Sequence, residues 1–124
     1  MTKAPANSLA WFEIPVRDLA KGKAFYGAIT GHPLRDEQMG PNATAIFAYS
    51  GDQATAISGH LYEGEPATAG SGPTIHLYAD GLEAALARVG EAGGEVVSPI
   101  IAIPAGRFAY CRDPDGNSFG LFSA

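Results

Sequence analysis

Chemistry in this chain has few sources: three histidines, thirteen acidic side chains and one cysteine. Two of these residues stand out by position. Glu13 alternates with the apolar residues Phe12, Ile14 and Val16, and His76 sits between Ile75 and Leu77. A carboxylate and an imidazole facing one cavity make an acid–base pair, because His titrates near neutral pH and a carboxylate can orient it. Glu13 and His76 are therefore the candidate catalytic residues. His60 shares their face if Ile57 points to the core. Glu13, His60 and His76 would then be a two-histidine-one-carboxylate set, a donor type that holds a divalent metal with open positions. The plainer alternative is a hydrogen-bonded Glu13–His76 polar pair, since buried polar groups need partners.

The other candidates reduce to structure. "DPDGN" begins like a calcium loop, but an EF-hand needs Gly at the sixth place and Glu at the twelfth. Counted from Asp113 those places hold Ser118 and Ala124, so the segment reads as a hairpin turn. "AGSG" lacks the spacing of a hydrolase nucleophile. Cys111 has no CxxC partner and reads as a packed thiol. His32 follows Gly31 at a helix exit, and Asp18, Asp52, Asp80 and Asp113 fall at turns and caps, where Asp bonds locally. Aromatic residues with a few polar groups line small-ligand cavities. The expected ligand-binding set is Trp11, His60, Thr74, Tyr78, Tyr110 and Phe122.

Elements must hold these residues in place. Period-two alternation over Trp11–Val16 predicts a half-buried strand. Asp18 predicts the N-cap of a helix ending at Gly31, with Leu19, Phe25, Tyr26 and Ile29 as its apolar stripe. Strands are expected near Leu34–Gln38, Thr44–Ser50 and Ala54–Tyr62. "EGEPATAGSGP" reads as a linker, about residues 63–72. The pattern then restarts: a strand at Thr74–Ala79, a helix over 80–92 with Leu82, Leu86 and Val89 on one face, and strands at Val96–Ile103, Arg107–Arg112 and Ser118–Phe122.

The restart is a repeat. Glu13 aligns with His76, Leu19 with Leu82 and Gly31 with Gly94, each 63 residues on. "FAYSGD" at 47–52 and "FAYCRD" at 108–113 match at 61, which implies two extra residues in the first half. The reading is an α+β fold of two βαβββ modules, about 9–62 and 73–123, in a single domain. Neither module buries its sheet alone, so the two must pair. Phe12, Ile14, Val16, Ile75, Leu77, Ala79, Phe119 and Leu121 should face the helices. Trp11, Glu13, Thr74, His76, Tyr78, Ser118, Gly120 and Phe122 should face the opposite way.

Three stretches, "FEIPVRDLAKGKAFYGAITG", "EAALARVGEAGGEVV" and "FAYCRDPDGNSFGLF", carry a resemblance. In their order and spacing the chain resembles the vicinal oxygen chelate superfamily: glyoxalase I, extradiol dioxygenases, fosfomycin-resistance and bleomycin-binding proteins. The resemblance implies that the two modules form a curled mixed sheet around a cup-shaped cavity for a small molecule. It also implies a homodimer, because that family commonly completes its cups across a two-fold axis. Many members hold a divalent metal through His, Glu or Gln. Transferred here, the ligand positions fall on Trp11, near Ser58, on Thr74 and on Gly120, which are poor ligands. Glu13 and His76 lie two residues further along, a displacement of about 6–7 Å that metal bonds of roughly 2.0–2.2 Å do not absorb unless every ligand moves together. The expectation is a glyoxalase-related protein binding a small molecule, with no cofactor and no metal. The alternative is a metal-dependent lyase, isomerase or dioxygenase using Glu13, His60 and His76.

Bulk properties bound the remaining classes. At 124 residues, 46% hydrophobic and 17% charged, the chain is one globular domain in size. A net charge of −5 with no basic run argues against nucleic acid and against an acidic membrane surface. The first residues lack a secretory signal pattern, no stretch is long and apolar enough to span a bilayer, and a lone cysteine permits no internal disulfide. A cytoplasmic location is expected.

Overall fold

A computed structural model of the chain describes residues 3–51 and 56–124. The first half runs β1 (Phe12–Val16), α1 (Leu19–Thr30), β2 (Arg35–Met39), β3 (Asn42–Ile46) and β4 (Gly59–Glu63). The second runs β5 (Ile75–Tyr78), α2 (Leu82–Glu91), β6 (Glu95–Val96), β7 (Ile101–Ile103), β8 (Gly106–Arg112) and β9 (Ser118–Ser123). The sheets have the orders β1-β4-β3-β2 and β5-β9-β8-β6, with β7 also on β8. In each, the first strand pairs parallel with the last and the others antiparallel. The two-module α+β expectation stands. The start of the strand expected at Ala54–Tyr62, and Asp52, lie outside the described residues. Among the described residues no helix is long and apolar enough to cross a membrane.

Local chemistry explains most boundaries. The Asp18 carboxylate accepts from the Lys21 N–H at 3.0 Å and starts α1, and Gly31 in the left-handed region ends it. The second helix departs from expectation: its N-cap is Gly81, with no side-chain cap bond from Asp80. The strand expected over Val96–Ile103 is broken in two. Pro99 has no N–H for the ladder, and the Ser98 hydroxyl fills the gap by accepting from the Tyr110 N–H at 2.9 Å.

The core lies on the helix side of both sheets. Phe25, Tyr26 and Ile29 from α1 meet Leu82, Ala85 and Val89 from α2, with Ile14, Val16, Leu77, Phe119 and Leu121 beneath. Every strand residue assigned to this face by alternation is buried, or half-buried against the core. Contacts cross between modules: the Phe25 and Tyr26 rings meet Phe119 at centroid distances of 5.8 and 5.6 Å, and Arg88 Nε donates to the Ala28 carbonyl at 2.8 Å.

One anion ties the modules together. Asp113 is buried, and its carboxylate accepts from the Tyr26 hydroxyl at 2.7 Å and from the Asp115 N–H, the Asn117 N–H and Asn117 Nδ2, each at 2.9 Å. Asn117 Nδ2 also donates to the Pro15 carbonyl at 2.7 Å. Gly116 completes the turn at a φ of 88°, where other residues are strained. Asp113→Ala should lower the unfolding free energy by about 3 kcal/mol or more, because it orphans the buried Tyr26 hydroxyl and three part-buried donors at once. Tyr26→Phe should cost only about 1–2 kcal/mol, since it removes a single bond to the carboxylate. Urea unfolding compares them, and equal, surface-like effects would contradict the network's role. Burial first, then the Asp113 charge, pushes the Tyr26 phenol well above its usual pKa. The unfolded chain therefore loses this proton first, and stability should fall as pH rises past about 10. That slope should flatten in Tyr26→Phe.

Candidate functional site

On the outer faces of the sheets, away from the helices, strand pairing decides which candidates meet. Glu13 stands opposite His60 and Ile46 opposite His60 in the first sheet. His76 stands opposite Gly120, and Tyr110 opposite Gly120, in the second. Glu13 is thus the counterpart of His76, His60 of Gly120 and Ile46 of Tyr110. The last pair lies 64 residues apart, three more than the "FAY" match. An odd slip flips every side chain to the other face. Accordingly Phe47 is buried in the core against Tyr26, while Phe108 stands on the outer face with His76. The "FAY" identity does not mark equivalent positions, and the repeat rests on the 63-residue matches.

Glu13 and His76 both face outward, but they do not pair with each other. The Glu13 Oε1 lies 3.0 Å from His60 Nε2, and the Trp11 indole Nε1 donates to His60 Nδ1 at 2.8 Å. An indole N–H can only donate, so Nδ1 is the bare nitrogen and the ring proton is on Nε2. His60 is therefore neutral in this arrangement, and Nε2 is the nitrogen that lies beside the Glu13 carboxylate. The imidazole is buried, while the Glu13 side chain is 63% exposed. Trp11, His60 and Glu13 form a relay of close contacts, one of them a hydrogen bond, that ends in an accessible carboxylate. Alternation could place all three on one face, but the cross-strand register that brings Trp11 and Glu13 to His60 is not written in any single strand.

His76 has aromatic company instead. Its ring packs edge-on against Phe108 and Tyr110 at centroid distances of 5.3 and 5.6 Å, and those two rings meet at 5.3 Å. Tyr78 and Phe122 form an adjoining pair at 5.7 Å. The imidazole lies directly over Gly120: a β-carbon there would fall 2.2 Å from His76 Nδ1. Only glycine admits this close approach. Tyr78 is 80% exposed and Tyr110 39%. Thr74 is exposed and Ser118 half-buried beside them.

These contacts bear on the expected metal positions. The module counterpart of Gly120 is His60, so His60 rather than Ser58 corresponds to the second ligand position. Ser58 instead donates to the Phe47 carbonyl at 2.9 Å. His60 has one nitrogen taken by Trp11 and the other by Glu13, and the space above Gly120 is taken by His76. Among the described residues no three His, Cys, Asp or Glu side chains come close enough to hold a metal ion. A cavity of about 420 Å³ lies elsewhere, bordered by Pro33, Arg35, Ile46 and Tyr49, and includes none of the candidates.

Cys111 is buried in β8, and burial pushes its thiol up to about 11. Little thiolate exists at neutral pH, and the thiolate is the nucleophile. Iodoacetamide at mildly alkaline pH should label Cys111 slowly in the folded protein and rapidly in denaturant. Fast labelling of the folded protein would contradict the packed-thiol assignment.

A family model described as the Glyoxalase/Bleomycin resistance protein/Dioxygenase superfamily matches residues 8–121. A glyoxalase/bleomycin resistance protein from Streptomyces sp. CB03234 is 32% identical, with 93% of this chain and 99% of that chain covered and a TM-score of 0.67. TnmS3, described as an antibiotic binding protein from the same Streptomyces strain, is 29% identical over 97% of this chain and 98% of its own, with a TM-score of 0.68. The anthracycline biosynthesis protein DnrV of Streptomyces peucetius is 27% identical over 98% of this chain and 49% of its own length. The chain spans about half the length of the curated relatives it matches.

Proposed function

The chain belongs to the glyoxalase/bleomycin resistance protein/dioxygenase superfamily, and within it we propose a protein that binds a small, flat aromatic molecule without a resident metal. The observation that carries this reading is the outer aromatic face of the second module. His76, Phe108 and Tyr110 pack over Gly120, with Tyr78 and Phe122 beside them. Rings held edge-on to one another offer apolar surface at little entropic cost on binding, because they are already ordered. The antibiotic-binding description of TnmS3 supports the same reading, as does the involvement of DnrV in anthracycline biosynthesis.

Binding rather than turnover is the reading that the polar groups favour. His76 faces rings and has no carboxylate partner among the described residues, while the one His–carboxylate pair is Glu13–His60. The metal-dependent alternative would need Glu13, His60 and His76 to converge. Titration with an anthracycline, followed by ligand fluorescence, tests the proposal. Saturable binding is expected, unchanged by EDTA and absent for a non-aromatic macrolide. Tyr78→Ala should weaken it about tenfold, the scale of one aromatic contact. Binding that requires added metal, or that ignores Tyr78, would overturn the reading.

A homodimer in a cytoplasmic setting belongs to the same proposal. Val97, Ile100 and Ile103 are exposed near the aromatic face, and a second copy would close it over a ligand in C₂ symmetry. Sedimentation at micromolar concentration should give a dimer. A clean monomer there would count against the second copy and leave the ligand face open.

A further inference from the structure

The first module holds a charge that nothing described neutralises. Glu13 ends the relay from Trp11 through His60, and the imidazole it touches carries no charge, because its Nδ1 accepts from the indole. Protonating His60 would set an N–H on Nδ1 against the indole N–H and break that bond. Among the described residues no Lys or Arg forms an ion pair with Glu13, although five other acidic side chains have such partners. One carboxylate oxygen lies 3.0 Å from His60 Nε2, and the other has no bond to any described residue. Beside it Trp11 is 38% exposed, and an indole face is the best aromatic partner for a cation.

We propose that Glu13 and the exposed indole of Trp11 form a binding site for an organic ammonium group, a protonated amine carried by a small ligand. The chemistry selects this class over a metal ion. A lone carboxylate supplies a single anionic donor, whereas a metal demands several at short, set distances. An alkylammonium needs one acceptor for its N–H groups and an apolar surface for its carbon stem. Glu13 supplies the first and Trp11 the second. Glu13 also borders a crevice of about 140 Å³ whose walls include Pro15, Pro73, Ile75 and Ser118, which gives the remainder of such a ligand a mostly apolar place to lie. The carboxylate lies 3.0 Å from His60 Nε2 on one side, and the Glu13 side chain is 63% exposed to a ligand. The charged and aromatic parts of this site, Glu13 and Trp11, belong to the first module, the crevice beside Glu13 is walled by both modules, and none of it depends on the aromatic face of the second.

Trp11 is the chain's single tryptophan, so its fluorescence and its indole N–H resonance report on this site without interference. The test compares benzylamine, a cation at neutral pH, with benzyl alcohol, its neutral analogue, at constant ionic strength. Benzylamine should shift both signals saturably, with a dissociation constant on the order of 1 mM. Benzyl alcohol should bind at least about tenfold more weakly. Glu13→Gln keeps an oxygen acceptor for His60 and should leave the free-state indole N–H resonance in place while weakening benzylamine about tenfold. Equal binding of amine and alcohol, full affinity in Glu13→Gln, or no saturable response to benzylamine would each overturn the proposal. An anthracycline titration that fails while benzylamine binds would sink the aromatic-face reading and leave this site standing.

Discussion

A buried carboxylate organises this molecule. Asp113 lies under α1, at the turn between β8 and β9, and it accepts four hydrogen bonds. A buried anion left unpaired is strongly unfavourable, so its donors must be delivered together or the turn cannot close. Those donors come from both halves of the chain. Tyr26 belongs to the first module, while Asp115 and Asn117 belong to the second and Asn117 reaches on to the Pro15 carbonyl of β1. The backbone N–H of Arg17 adds a bond to the Asp115 carboxylate at 3.1 Å. The segment that resembles a calcium loop thus serves as a hydrogen-bonded clasp between modules, with protein donors where a cation would stand.

Once the clasp and the shared core set the helix side, the outer faces follow from strand alternation, and the two copies diverge there. At equivalent positions the first module has Glu13, His60 and Ile46, and the second has His76, Gly120 and Tyr110. The first set makes a polar relay whose end is accessible. The second makes a ring cluster, because the missing side chain at Gly120 lets the His76 imidazole approach the backbone closely. The difference between a carboxylate site and an aromatic face therefore comes down to which residue occupies the middle of the last strand of each module.

Much of the fold was legible because alternation and helix stops are local. Phe12, Ile14, Val16, Leu77, Phe119 and Leu121 announce their face by period two alone, and Asp18 and Gly31 bracket α1 by cap chemistry. What was not legible depends on register between strands distant in the chain. Glu13 meets His60 because β1 pairs with β4, a fact that no stretch around residue 13 contains. The "FAY" identity misled for the same reason, since a match of letters carries no information about which face a strand turns. Pro99 was a readable warning that the strand after α2 would break. The Ser98 hydroxyl that repairs the ladder could be found only with Tyr110 beside it.

Each outer-face cluster is closed within its own module. Trp11, His60 and Glu13 all belong to the first, and His76, Phe108, Tyr110 and Gly120 to the second. The contacts that join the modules lie on the other side: Phe25 and Tyr26 on Phe119, Arg88 on Ala28, and the Asp113 clasp. Stability is thereby carried by the helix side of the strands, and both proposed recognition sites lie on the opposite face. Tyr78 is 80% exposed, so a change there costs folding about what a surface substitution does, whereas a change at Glu13 also removes the carboxylate beside the buried His60 Nε2. The outer faces can therefore exchange one ligand chemistry for another while the helix-side residues hold the architecture constant. This is the physical sense in which one fold hosts many functions.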